Sequence, residues 1–471
     1  MNKTKIIASI GKKTNSREVL RNLINEGVDI IRINLRYAEF DFCTDVINTV
    51  NELNDELKTN IAIMLSIKGP ILRTRSFEEG MVYLERGREV RLYSEDILGN
   101  NNIISIKYDD LIKEVEVGTI IKLNNGKVEI EVAAKRDNHL VCNVLKEGII
   151  NDNSTVNIIG LKANMSYLDS ENIEMIKYAD RMNVDYLCLP YVSSELDVLK
   201  VNKLLLKLNN THIGLISRIE NEKGLEFIDD ILKISEGIMI SRSDIGIEIP
   251  LEQISMIQKD IISKCHNEGK LCIVGTELLS SMEENENPTT AEINDIINAV
   301  NDGVDALMLT TETSIGNYPI ETVQMLEKVI ESAENNIDYN KFLTQTMKNE
   351  KEDITGMIAY SVFECANRLK CAGIIVPTMT GYTARKISRF RPSCPIIVLS
   401  PNIDTVKSMT LYYGTYCIHV DELNSIDEVI SKAKKLLISK KWVNDNDKII
   451  VTGGYPFKEA SHTNFMKIEE I

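Results

Sequence analysis

Residues 214–250, GLISRIENEKGLEFIDDILKISEGIMISRSDIGIEIP, decide the fold. They read as strand, helix, strand and the start of a second helix. The runs GLISRI and GIMISRS are apolar-rich and short enough for buried parallel strands, and the segment between them has helical spacing. Each strand ends in polar and charged residues: Arg218 and Glu220 after the first, Arg242, Ser243 and Asp244 after the second. Two carboxylates at the ends of adjacent parallel strands sit on one rim, close enough to share a hard divalent cation. Taken as an isolated pair, Glu220 and Asp244 are more simply ordinary loop acids, so the rest of the chain has to decide.

Outward from this stretch the same alternation repeats. Strand-like runs stand at Lys5–Ile10, Asp29–Leu35, Asn60–Ile67, Tyr186–Val192, Ile213–Ile219, Gly237–Ser243, Leu271–Glu277 and Ala306–Thr311. Each is followed, sooner or later, by an amphipathic segment, which is the requirement of a (β/α)8 barrel. Helix starts carry their own signals, as where Ser16 precedes REVLRNLINEG and Gly27 ends it. A doubly wound open sheet would show the same alternation, but no GxGxxG follows the first strand, and the barrel is favoured.

The third unit is interrupted between Asn60–Ile67 and its helix, expected over Ser170–Asn183. The intervening residues alternate Val and Ile with charges and carry hairpin signals such as Asn125-Gly126, the pattern of a small β-barrel or sandwich. Inserted in a βα loop, this unit emerges on the catalytic face and can act as a lid. After Asn340 new α/β units begin, with strands expected at Gly373–Thr378, Pro395–Ser400, Thr415–Val420 and Lys448–Gly454. The expected division is 1–70 and 157–340 for the barrel, 71–156 for the inserted lid and 341–471 for a carboxy-terminal α/β domain.

The 471 residues are 43% hydrophobic and 26% charged, globular values for a chain of several domains. The formal charge of −16 argues against nucleic-acid or anionic-membrane partners, and an anionic substrate would need a local basic cluster or a metal. Nine cysteines without a CxxC pair suit a reducing compartment. The amino terminus has too short an apolar core for a signal peptide, and no run reaches membrane-spanning length, so a cytoplasmic protein is expected.

In a barrel of this kind the site is built at the carboxyl ends of the strands. Those ends supply Arg32, Asn34 and Arg36; Ser66, Lys68 and Arg73; Arg218 and Glu220; Ser243 and Asp244; Thr276; and Glu312. One such arginine is ordinarily a surface charge or a structural ion pair. A convergent set suits a metal-assisted reaction of a phosphorylated or carboxylated anion. All five histidines are placed in helices, the insertion or the carboxy-terminal domain, so histidine acid–base chemistry is not expected at the rim.

At these residues the chain resembles the pyruvate kinase family over essentially its whole length. IIRINL (30–35), SIKGPILRT (66–74), ISRIEN (216–221) and GIMISRSDIGIEIP (237–250) are similar to its strand-end motifs. PTTAEINDIINAVNDGVDALMLTTETSIGNYP (288–319) is similar to its seventh and eighth units. GYTARKISRFRP (381–392) resembles its effector-loop helix, and VTGGYPFKEASHTN (451–464) its closing loop. The resemblance implies transfer of phosphate from phosphoenolpyruvate to ADP, giving pyruvate and ATP, in a homotetramer. By position it implies Glu220 and Asp244 as ligands of Mg2+ or Mn2+. It also implies the backbone at Ser243–Asp244 and the Thr276 hydroxyl as the oxo-acid carboxylate site, with Arg32, Asn34 and Arg73 around the phosphoryl and nucleotide end. The hydroxyl-rich loop of Thr378, Thr380, Gly381 and Thr383 is implied as a site for a phosphorylated effector, with helix capping as the plainer alternative.

The departures fall on the site. The family's catalytic lysine is Arg218, and Asn-Phe-Ser-His has become Asn34-Leu35-Arg36-Tyr37. Asp-Thr before Lys-Gly-Pro is Ser66-Ile67, the following Glu is Ile71, and the glycine before the metal aspartate is Ser243. The lid's Asp-Asp-Gly is Asn124-Asn125-Gly126, and a nucleotide-side lysine is Ile315. In the closing loop Lys458-Glu459 replaces small residues. The potassium set of the family corresponds to Asn34, Arg36, Ser66 and Ile67, from which no bound potassium is expected; Arg36 supplies a fixed charge instead, or else points to solvent. Three readings follow. The chain performs the family reaction with an altered site and reduced turnover, which is favoured. It is a catalytically inactive homologue with a binding or regulatory role. Or it uses the same metal and carboxylate pocket as a pyruvate-enolate lyase.

Overall fold

The computed structural model describes residues 2–161, 166–339, 342, 353–422, 425–456 and 462–471. Eight parallel strands, Lys5–Ser9, Ile30–Asn34, Ala62–Ser66, Tyr186–Leu189, Gly214–Ile219, Gly237–Ser241, Leu271–Gly275 and Ala306–Leu309, close into a barrel. The first strand closes the ring against the last, with Lys5 opposite Ala306 and Ala8 opposite Leu309.

Strand alternation gives each strand two different faces. Ile6, Ala8, Ile31, Ile33, Ile63, Leu65, Ile238 and Ile240 pack outward into the layer of helices. Ile7, Ile30, Met64, Tyr186, Cys188, Ile216, Met239, Ile273 and Met308 fill the barrel interior. Gly275 leaves room there: a Cβ at that position would meet Met308 Cε at 2.6 Å. Two residues further along the inward face, the apolar set ends, and Ser9, Arg32, Ser66, Arg218 and Ser241 take its place. The change from apolar to polar within one face is what makes the carboxyl end a mouth rather than more core.

The helices start where local chemistry dictates. Ser16 Oγ accepts the Val19 N–H at 3.3 Å ahead of Arg17–Asn25, and a reciprocal Thr289–Glu292 capping box opens Thr290–Asp302. The helix after the insertion is Ser170–Arg181.

The insertion is a seven-stranded sheet in the order Leu72–Arg73, Thr155–Ile158, Ile120–Leu123, Val128–Lys135, Leu140–Lys146, Glu89–Tyr93, Ile103–Ser105. A ribbon of Met81–Leu84 and Gly148–Asn151 lies beside it, and Val90, Leu92, Ile104, Ile121, Ile130 and Cys142 share one core. The Asn-Gly turn is longer than a two-residue hairpin: residues 124–127 connect the strands, and Asn124, Asn125 and Gly126 all have positive φ (51°, 56° and 77°). The last lid strand, Thr155–Ile158, straddles the expected 156/157 boundary. The expected boundary at Asn340 and the Lys458-Glu459 pair lie outside the described residues.

The carboxy-terminal sheet runs Thr415–His419, Ile396–Ser400, Gly373–Pro377, Lys448–Gly453 and Phe465–Glu470. The first four strands are parallel; the antiparallel edge strand Phe465–Glu470 is not among the strands expected from the sequence. The barrel's interior core continues directly into Phe363, Ile374, Phe390, Leu411 and Tyr412 of this domain, which therefore plugs the amino ends of the strands. No described helix is long and apolar enough to cross a membrane.

Candidate active site

Five strand ends bring charged and hydroxyl groups together at the mouth. Arg32 is 4% exposed and pairs with no carboxylate among the described residues: Nε donates to Ser66 Oγ at 2.9 Å and one terminal nitrogen to Ser9 Oγ at 3.0 Å. Burial, together with the nearby charge of Arg218, lowers its pKa to about 10, so it stays protonated at neutral pH. A buried cation satisfied only by hydroxyls is an anion receptor in waiting.

Arg218 reaches across the rim. One terminal nitrogen lies 3.2 Å from Glu220 Oε1; the other lies 2.8 Å from Asp244 Oδ2 and 2.6 Å from Ser241 Oγ. Ser241 Oγ in turn donates to Asp244. The three side chains are 15%, 1% and 21% exposed, so this is a nearly dry triad. Burial opposes the charge on Arg218, but Glu220 and Asp244 outweigh it and raise its pKa above the ordinary arginine value. Burial lifts the Glu220 carboxyl to about 8, against the pull of Arg218 and with a further push from Asp244. Glu220 Oε2 also accepts the Tyr191 N–H at 2.6 Å, from a residue held at φ 53°.

The Thr276 segment is strained. Thr276 and Glu277, just beyond Leu271–Gly275, have φ of 68° and 53°. A β-branched residue with positive φ persists only where its surroundings fix it. Arg242 does so, donating to the Thr276 carbonyl at 2.7 Å and the Glu277 carbonyl at 2.9 Å while paired to Asp295. Thr276 Oγ1 thereby meets the Ser243 N–H at 3.4 Å, next to Asp244.

Other expected residues are placed differently. Arg73 lies in the first lid strand and donates to the Asn153 carbonyl of the lid, which takes that bond away from the barrel mouth. Lys68 pairs with Glu171. Glu312 is fully buried and accepts the Thr310 and Leu279 N–H groups, a loop brace. His212 is not in a helix as expected; it lies in the loop before Gly214–Ile219. Of the potassium set, Asn34 Oδ1 accepts the Arg36 N–H at 3.2 Å, Ser66 is taken by Arg32, and Ile67 is 1% exposed. Arg36 is half-buried, its guanidinium 5.2 Å over the Tyr37 ring, and its buried Nε has no hydrogen-bond partner among the described residues. In the effector loop, Thr378 Oγ1 accepts the Gly381 N–H at 3.0 Å and Thr383 Oγ1 bonds Thr463 Oγ1 at 2.8 Å, while Thr380 is exposed. A cavity of about 450 Å3 between lid and barrel flanks the mouth, lined by Ile71, Asn157, Tyr191, Lys200, Lys223 and Glu248 among others, and contains none of the site arginines.

Ser9, Ser241 and Tyr191 are the site residues that strand-end reading left out; Arg242 stands at its strand end but was not counted in the mouth. Ser9 and Ser241 were reachable from alternation alone, since each is the last inward residue of its strand. Tyr191 acts through its backbone and leaves no side-chain signal.

Among the described residues no three His, Cys, Asp or Glu side chains cluster as a metal site. The donor set of Glu220, Asp244 and their hydroxyl neighbour is all hard oxygen, which suits Mg2+ or Mn2+ completed by substrate and water oxygens.

Comparison with known proteins bears on the chain as a whole. Residues 1–323 match the family "Pyruvate kinase, barrel domain" and residues 356–469 match "Pyruvate kinase, alpha/beta domain". The chain is 34% identical to a pyruvate kinase of Clostridium perfringens (strain 13 / Type A), covering 100% of both chains. It is 33% identical to a pyruvate kinase of Sporosarcina psychrophila, covering 100% of this chain and 81% of that one. A crystal structure of a pyruvate kinase from Cryptosporidium parvum superposes with a TM-score of 0.94 at 30% identity, over 100% of this chain and 96% of the other. With both of its domains matched and a relative aligned from end to end, the chain belongs to the pyruvate kinase family.

Proposed function

We propose that the barrel mouth transfers the phosphoryl group of phosphoenolpyruvate to ADP, with turnover well below that of a lysine-bearing relative. The observation that carries this reading is the Arg218 guanidinium held between Glu220 and Asp244, beside the carboxylate-free Arg32. The P–O bond to the enol oxygen breaks, a new P–O bond forms to the terminal oxygen of ADP, and enolpyruvate then takes a proton at carbon.

In this reading Glu220 and Asp244 hold the Mg2+ or Mn2+ on which the family depends. When bound, that ion supplies positive charge to the oxygens of the transferring group. Arg32 receives the anionic end of the substrate, and the Thr276 hydroxyl with the Ser243–Asp244 backbone orients its carboxylate. Asn34 and Arg73 belong to the nucleotide side. Arg218 adds positive charge but keeps its proton, because a guanidinium stays protonated far above neutral pH whether or not the two carboxylates face it. The proton that completes pyruvate therefore comes from solvent, and this step slows turnover.

Arg36 takes the part of the family's monovalent ion, supported by the commitment of Asn34 and Ser66 to other bonds. The Thr378–Thr383 loop is proposed as a phosphorylated-effector site, although two of its hydroxyls already cap and brace it. A cytoplasmic homotetramer completes the proposal; the nine free cysteines fit a reducing compartment.

The test is pyruvate formation from phosphoenolpyruvate and ADP with Mg2+, with and without K+. Slow, K+-independent turnover is expected. No turnover, together with retained oxo-acid binding, would replace this reading with the binding role.

A further inference from the structure

Glu220 and Asp244 do not face each other across open space. The fork of Arg218 spans them, one terminal nitrogen on each, and the second nitrogen also reaches Ser241 Oγ at 2.6 Å. The remaining bonds leave little freedom to turn aside. Glu220 Oε2 is committed to the Tyr191 N–H at 2.6 Å, and Asp244 Oδ2 is shared with the Ser241 hydroxyl.

We propose that Arg218 is a tethered competitor for the divalent-ion site: the ion binds Glu220 and Asp244 only by displacing the guanidinium, so the chain itself sets its ion affinity low. The inference rests on the reading that these two carboxylates are the ion's ligands. It adds that a third side chain decides how tightly they take it.

Three physical points support it. A guanidinium and a divalent ion are like charges, and at contact distances in a site where Glu220 is 1% exposed there is little water to screen them. Occupancy of the pair is therefore exclusive. The planar fork matters as well, because it satisfies two separate carboxylates at once, whereas an ammonium is a point charge that favours one partner at a time. Finally, displacement is costly on the inner side. Arg218 Nε is buried without a hydrogen-bond partner among the described residues, and the guanidinium of Arg32 stands nearby. A released Arg218 is best received by an anion entering the mouth, which couples ion loading to loading of the phosphorylated substrate.

The experiment is Mn2+ binding to the full chain, followed by the electron paramagnetic resonance of free Mn2+ and by calorimetry. Wild type is compared with Arg218→Met, Arg218→Lys and the double variant Glu220→Ala/Asp244→Ala. Arg218→Met is expected to bind Mn2+ at least tenfold tighter than wild type, with Arg218→Lys between them and the double variant lacking the site. Equal or weaker affinity in Arg218→Met overturns the competition while leaving the ion ligands standing. Unchanged affinity in the double variant overturns the ligand assignment, and the competition with it.

Arg218→Met leaves two buried carboxylates without their cation and can lose stability for that reason. Thermal unfolding covers this case. In EDTA the variant is expected to melt below wild type, and saturating Mn2+ is expected to raise its midpoint by more than it raises that of wild type. An equal Mn2+ shift in the two proteins counts against the proposal, as does an Arg218→Lys affinity identical to wild type.

Discussion

The two ends of the barrel are built from the same residue types and put them to different uses. At the amino ends, Lys5 Nζ lies 3.2 Å from Asp29, donates to the Thr415 carbonyl at 2.7 Å and sits 4.5 Å over the Tyr416 ring. Arg391 pairs with Asp305 at 2.8 Å, the two 4% and 6% exposed, and donates to the Gly303 carbonyl. Glu236 is held by Arg385 and Tyr412. At every one of these pairs the carboxy-terminal domain supplies a partner. At the carboxyl ends, the described partners of Arg218, Glu220, Asp244 and Arg32 all come from the barrel itself: one another, the Tyr191 N–H and the hydroxyls of Ser9, Ser66 and Ser241. Burial and ion pairing are thus common to both ends. What separates them is whether the partner is another part of the fold, which stays, or a group that a ligand can replace.

The largest expected effect is at the top. Arg218→Ala should cost on the order of 100- to 1,000-fold in phosphoenolpyruvate-dependent kcat/KM, the range for losing a preorganised charge, while Arg218→Lys should raise it. If wild type is fully active and Arg218→Lys is worse, the site has been rebuilt around arginine and the two ends are equally fixed.

At the bottom the same kind of truncation should act on stability alone. Asp305→Ala strands Arg391 in a dry interface and should cost about 3–5 kcal/mol in urea unfolding, with activity per folded molecule unchanged. A loss of activity without a loss of stability would break the contrast.

Asp185 sharpens it further. It precedes Tyr186–Leu189 at the barrel bottom, accepts the Ile63 N–H at 2.7 Å, and burial lifts it to about 6 against the pull of Lys407. A carboxyl raised in the folded state contributes stability that is present at low pH and lost as pH rises through about 6. Asp185→Asn keeps the hydrogen-bond acceptor without the charge. It should be more stable than wild type by about 2–3 kcal/mol at pH 8, and the difference should shrink as pH falls below about 6 and fade toward about pH 4. Parallel stability–pH curves would show that the buried charge is harmless.

The smallest effect concerns the monovalent ion. Replacing KCl with NaCl should change the rate by less than about twofold if Arg36 supplies that charge in place, since a covalent cation is insensitive to the salt chosen. A rate that requires K+ would return Asn34 and Ser66 to the role of ligands.

The barrel strands were legible within one or two residues at most ends because parallel strands buried on both faces are short apolar runs between helices. Phe465–Glu470 was not, since an edge strand with alternating charge resembles a surface tail. The identity of the mouth residues could be read from strand ends. The closure of Arg218 onto the two carboxylates could not, because it depends on side-chain reach across two strands. Nor could the bond from Arg73 to the Asn153 carbonyl, although the expected lid span of 71–156 already held Arg73; it follows from the strand pairing of Leu72–Arg73 with Thr155–Ile158. The bottom had a signal that went unread: Val28-Asp29, Val184-Asp185 and Val304-Asp305 each stand just before a barrel strand. Each of those aspartates accepts an N–H from the start of the preceding strand, at Ile6, Ile63 and Cys272.

The position of Lys5 also bears on how the chain is made. Its strand finds one neighbour in Ala306–Leu309, its ammonium waits for Thr415, and the Lys3 carbonyl waits for the Gly414 N–H. During synthesis from the amino end, Lys5–Ser9 thus leaves the ribosome long before these partners and is satisfied only after them. The described lid strands pair only among residues 72–158, so that unit is complete before the barrel is. A nascent chain halted before residue 306 displays an unpaired, apolar strand edge for as long as it is held there, the state in which association with other chains competes with folding.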